Sequence, residues 1–69
     1  MKSIVQWREE AALSQHEFAT TIDVSISAVS KWERGIHIPT LKMQRVICSV
    51  LSKTLGIEIK RADVEWPTR

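Results

Sequence analysis

A chain of 69 residues, 26% charged and 43% hydrophobic, has room for one domain, and at this size folding buries only about 60% of the surface the unfolded chain exposes. The lone Cys48 rules out an internal disulfide and a cysteine-based zinc cluster, and no apolar run approaches the roughly 18 residues a bilayer-spanning helix needs. With no signal-peptide hydrophobic segment at the N-terminus, the expected setting is soluble and cytoplasmic, without membrane attachment.

His16 and His37 lack cysteine or carboxylate partners at metal-ligand spacing, and the chain has no glycine-rich phosphate loop. No catalytic residue, metal site or cofactor is therefore expected. Formal net charge is only +2, so the distribution says more than the total. Lys31, Arg34, His37 and Lys42 cluster in mid-chain, whereas acidic residues gather at Glu9-Glu10 and at Glu58, Asp63 and Glu65. This is a basic face on a mixed-charge protein.

In chain order, Ser3 followed by Gln6 reads as a capping box that opens a first helix ending near Ala12. Ile4, Trp7 (or Val5), Arg8 and Ala11 share one side of it. An inward guanidinium is costly unless it meets an anion, so Arg8 either pairs with a carboxylate or is solvated and touches phosphate. Ser14 and Glu17 form a second capping box, which starts a helix at Gln15 with Phe18, Ala19 and Ile22 on its buried face. The period breaks at Asp23, which tolerates left-handed geometry, and Ser25 caps a third helix from about Ile26 to Arg34. Val29 and Trp32 point inward there, Ala28 allows close packing against the second helix, and Gly35 closes it.

Pro39 holds Ile38 extended, and Thr40 caps a long helix running to about Leu55. Its stripe of Met43, Val46, Ile47, Val50, Leu51, Thr54 and Leu55 is expected to close over Phe18, Val29 and Trp32, with Cys48 as a small core residue. Gly56 ends it. Beyond, Ile57-Glu-Ile-Lys and then Val64 and Trp66 alternate like a half-buried strand, with a bulge or turn near Ala62. Nothing else in the chain reads as β. The preferred reading pairs residues 57–66 with the same segment of a second subunit, through Ile57, Ile59, Val64 and Trp66; the alternative folds the tail back so that Trp66 covers the core.

The spaced motifs Leu13-Ser-Gln-x-Glu-Phe-Ala, Val24-Ser-x-x-x-Val-Ser-x-Trp-Glu-x-Gly and Pro39-Thr resemble the helix-turn-helix domain of Cro and phage-repressor type regulators, over about residues 4–55. The resemblance implies a mainly α, four-helix, λ-repressor-like domain at 1–56, with a C-terminal strand or tail at 57–69 that serves dimerisation. One departure is Asp23, at a turn position the family usually gives to glycine, with a cost of up to about 1 kcal/mol.

The resemblance also implies an Arg8 to Glu33 bridge and base-reading roles for Ser25, Ile26, Ser27 and Lys31, with Ser30 on the same outward face. Gln15 is the matching position for a phosphate contact, with His16 beside it. Arg34, His37 and Lys42 are the remaining phosphate-binding candidates. The function implied is a sequence-specific regulator of transcription that binds double-stranded DNA, of the Cro-like repressor kind, acting as a homodimer on a palindromic operator. Two other readings stand beside it: an antitoxin that binds a toxin and represses its own operon, and an interaction module that kept the fold without DNA binding.

Overall fold

Each helix begins on a hydroxyl three residues ahead of the amide it satisfies. Ser3, Ser14, Ser25 and Thr40 accept from the backbone amides of Gln6, Glu17, Ala28 and Met43. At the first two starts the exchange is reciprocal, because Gln6 and Glu17 accept from the amides of Ser3 and Ser14. The computed structural model, which describes residues 1–68, accordingly has α1 (Ile4–Glu10), α2 (Gln15–Thr21), α3 (Ile26–Glu33) and α4 (Leu41–Leu55). It is a mainly α, λ-repressor-like arrangement with a short strand near its C-terminus.

Chain reversals follow from backbone conformation. Asp23, between α2 and α3, is left-handed at φ 60°, and Gly35 and Gly56 end α3 and α4 at φ 75° and 71°. Ala12 is also left-handed, at φ 58°, just after α1, which nothing in the sequence pattern announces. A β-carbon is strained there, by roughly 1 kcal/mol against glycine. Ala12→Gly is therefore expected to raise the melting temperature by about 3 °C or less in a calorimetric scan, because the extra chain entropy of glycine offsets much of that relief.

Phe18, Val29, Ile47 and Leu51 are fully shielded at the centre, ringed by Ile4, Trp7, Ala19, Ile22 and Trp32. The α2–α3 pair packs on this centre with α1 and α4 behind it. The buried face of α4 is rotated from the expected stripe: Gln44, Ile47, Cys48 and Leu51 are buried, Met43, Val46, Val50 and Leu55 are only partly covered, and Thr54 is exposed. The tail causes the rotation by lying over the side that carries Gln44 and Cys48.

That tail corrects the expected strand over 57–66. Residues 57–60 form no regular element, Arg61–Asp63 make one 3-10 turn, and only Val64–Glu65 form a strand, β2. Its partner is the chain's own N-terminus, β1 (Lys2–Ser3), in parallel, with Lys2 opposite Val64 and Ser3 opposite Glu65. A parallel pair needs a long crossover, and the four helices supply it. Ile59 and Val64 are 5% and 3% exposed within this same chain, so they are spent on its core rather than on an intersubunit ribbon. Trp66 packs partly buried against the core, and of the four residues expected at that interface Ile57 alone is largely exposed.

Hydrogen bonds pin the tail at both ends. Ile59 donates its amide to Ser52 Oγ at 2.9 Å, Trp7 Nε1 donates to the Asp63 carbonyl at 3.3 Å, and Trp66 Nε1 donates to the Arg61 carbonyl at 2.9 Å. Arg61 Nε donates to buried Gln44 Oε1 at 3.1 Å, and Gln44 Nε2 donates to the Pro39 carbonyl at 3.1 Å. The buried amide of Gln44 is thus satisfied on both sides, which is what makes a polar residue tolerable there.

Candidate nucleic-acid interface

The orientation of α3 is set by what it buries. Val29 is 0% exposed and Trp32 8%, so the helix cannot turn without unpacking both. Ser25, Ile26 and Ser27 consequently stand in solvent at its amino end, while Ser30 and Lys31 are half-buried further along. Ile26, 44% exposed at the first position of a helix, is a large aliphatic side chain that finds no place in the core. Ser25 spends its hydroxyl on capping, accepting from Ala28 N at 3.1 Å.

Behind α3 a polar cluster locks the motif together. Arg8 Nε donates to Glu33 Oε2 at 2.6 Å and Arg8 Nη2 to Glu33 Oε1 at 3.2 Å, a bidentate pair. Arg8 Nη1 also donates to the Leu13 carbonyl at 2.8 Å. Of the two side chains, Arg8 is 13% exposed and Glu33 6%, and the hydrogen bond to Glu33 raises the guanidinium's pKa above its ordinary range. Arg8 therefore faces a carboxylate rather than solvent or phosphate.

Gln15 joins the same cluster. Its Nε2 donates to Glu33 Oε1 at 2.8 Å, so the donor end of this carboxamide is turned toward α3. The sequence offered no sign of this third partner, because Gln15 and Glu33 lie on different helices. His16, next along, is exposed. Glu17 is committed to its capping box: the backbone amide of Ser14, and then its hydroxyl, hold the Glu17 carboxyl below the usual carboxylate range.

Arg34, His37 and Lys42 are all exposed, on the carboxyl end of α3, the following loop and the start of α4. The structure adds Arg45, exposed one turn beyond Lys42 on α4. Its three-residue spacing from Lys42 could have flagged it, since side chains so spaced lie on one helical face. Between Glu33 and Glu58 the chain carries no acidic residue, so the charged side chains that this stretch itself exposes are all basic. Cys48 is a buried free cysteine, and burial pushes its thiol pKa up. Among the described residues no helix is long and apolar enough to cross a membrane.

Two short helices packed against each other across the left-handed turn at Asp23, the second showing its amino end to solvent and followed by exposed basic residues, define a helix-turn-helix DNA-binding protein. Residues 4–59 match the family described as Helix-turn-helix, and the chain belongs to that family, the Cro/C1-type DNA-binding regulators of transcription. No curated protein and no solved structure matches it.

Proposed function

We propose that this protein is a Cro-like repressor that acts in the cytoplasm and binds a palindromic operator as a homodimer. The observation that carries the proposal is the exposed amino end of α3, Ser25 to Ser27, held outward by the buried Val29 and Trp32. In this reading α3 enters the major groove while α2 crosses the backbone. Ile26 meets a thymine methyl, Ser27 bonds to a base edge, and Lys31 extends to guanine O6 and N7. Ser25 caps the helix and lies against the groove wall, with Ser30 beside Lys31.

Arg34, His37 and Lys42 take phosphates on either side of the groove and so set register and salt dependence without reading sequence. At the α2 end, Gln15 and His16 meet a phosphate through backbone amides that have no intrahelical partner. With its side-chain donor given to Glu33, Gln15 serves to position that helix end against α3. One domain of this size contacts too few base pairs for useful discrimination, and a dyad doubles the site.

Selection of duplexes from a random-sequence pool tests this. The expected product is a sequence with two inverted half-sites about 10 base pairs apart, centre to centre. Failure to retain any duplex at low ionic strength overturns the reading.

A further inference from the structure

A polar side chain inside a core is tolerated only when its hydrogen bonds are made, so the partners of Gln44, 6% exposed on α4, are worth tracing. Its carboxamide bridges two separate segments. Nε2 donates to the Pro39 carbonyl ahead of α4, and Oε1 accepts from Arg61 Nε in the tail. Pro39 is itself buried, and it closes a loop whose other end is tied to α3, where the amides of Ile36 and His37 donate to the Lys31 carbonyl at 2.9 and 3.3 Å. His37 lies two residues before Pro39 and Lys42 three after it, both exposed. The Gln44 bond thus fixes the backbone between them.

We infer that Gln44 and Arg61 are positioning residues for DNA binding: the tail orients the Gln44 carboxamide, which holds Pro39 and with it the phosphate-binding His37 and Lys42. The inference rests on the proposed DNA-binding reading and adds two residues that act on the interface without belonging to it.

Orientation is the first argument. A carboxamide has a donor end and an acceptor end, and the Pro39 carbonyl can take only the donor. With Arg61 Nε on Oε1, the reversed carboxamide would set its NH2 against a guanidinium N–H and its oxygen against a carbonyl. Arg61 therefore selects the orientation in which Nε2 faces Pro39. Arg61 is held in turn, since its carbonyl accepts from Trp66 Nε1 at 2.9 Å and it opens the 3-10 turn in which Asp63 accepts from the Lys60 amide.

Burial is the second argument. Gln44 offers a duplex almost no surface, so any change in DNA affinity on its replacement passes through what it holds. Charge-assisted bonds to phosphate form at about 2.7–2.9 Å. A loop free to drift forfeits them.

The test uses Gln44→Met, which nearly keeps the length and volume of the side chain and removes both hydrogen bonds. Affinity for the selected duplex and for a random-sequence duplex is measured by fluorescence anisotropy across a salt series. The variant is expected to bind both about 5-fold to 10-fold more weakly, with the slope of log affinity against log salt flattened by about 0.5–1 although no charge has been removed. A double-mutant cycle against His37→Ala/Lys42→Ala gives the second readout. Removing those two side chains is expected to cost about 10-fold in wild type and about 3-fold or less in Gln44→Met, where they are already misplaced. Circular dichroism checks each fold, and the same cycle with Arg61→Met, on the exposed part of the tail, serves if Gln44→Met unfolds. The inference is overturned by a folded Gln44→Met with wild-type affinity, or by a fall in affinity that leaves the salt slope and the cycle unchanged, as a merely structural role gives. It is also overturned if the losses in Arg61→Met and His37→Ala/Lys42→Ala simply multiply, which would put Arg61 on DNA itself. A wild type that binds no duplex at low ionic strength overturns the DNA-binding reading, and this inference with it.

Discussion

Arg8→Met is expected to lower the stability of the chain by about 3 kcal/mol, read as a fall in the urea midpoint with an unchanged slope. The side chain it removes holds Glu33 through two hydrogen bonds and the Leu13 carbonyl through a third. Without it, a carboxylate only 6% exposed keeps Gln15 as its one side-chain donor among the described residues, and the Leu13 carbonyl loses its guanidinium donor. Leaving a buried charge unpaired costs more than the pair itself contributes, so Arg8→Met/Glu33→Leu is expected to be more stable than Arg8→Met alone. In a domain this small, 3 kcal/mol is a large share of the total. A single variant no less stable than the double one would show that the pair acts as a solvated surface contact, worth about 1 kcal/mol or less.

Lys31→Ala and Lys42→Ala are expected to weaken DNA binding in different ways. Lys31 is half-buried on α3, a turn beyond the exposed serines, from where its ammonium reaches a base edge in the proposed pose. Its loss should cost about 1–3 kcal/mol at one base position and relax the preference there. Lys42 stands exposed on the first turn of α4, outside the groove-reading helix. Its loss should weaken every duplex alike and reduce the slope of log affinity against log salt by about 1. Selection repeated with each variant separates them, and equal, preference-neutral losses would refute the division of roles.

Most of the helical framework was legible before any coordinates. The hydroxyl-to-amide spacing at Ser3, Ser14, Ser25 and Thr40 located every helix start, and Asp23, Gly35 and Gly56 sit left-handed where the pattern broke. Ala12 escaped notice because alanine carries no local signature of positive φ. The tail misled for a physical reason: alternation of Ile57, Ile59, Val64 and Trp66 reports that alternate residues are buried, not what buries them. A two-residue strand at Lys2–Ser3 is too short and too polar to read as β, so the parallel partner in the same chain went unseen.

The primary structure by itself determined where helices begin and end, and the side of α3 turned to solvent, since capping, turn conformation and amphipathic period act within a few residues. Only the tertiary structure decided the rotation of α4 under the tail, the pairing of the two termini, the capture of Gln15 by Glu33, and the link from Arg61 through Gln44 to the Pro39 carbonyl. Each of these joins segments whose meeting depends on how whole helices pack, and no spacing along the chain encodes that.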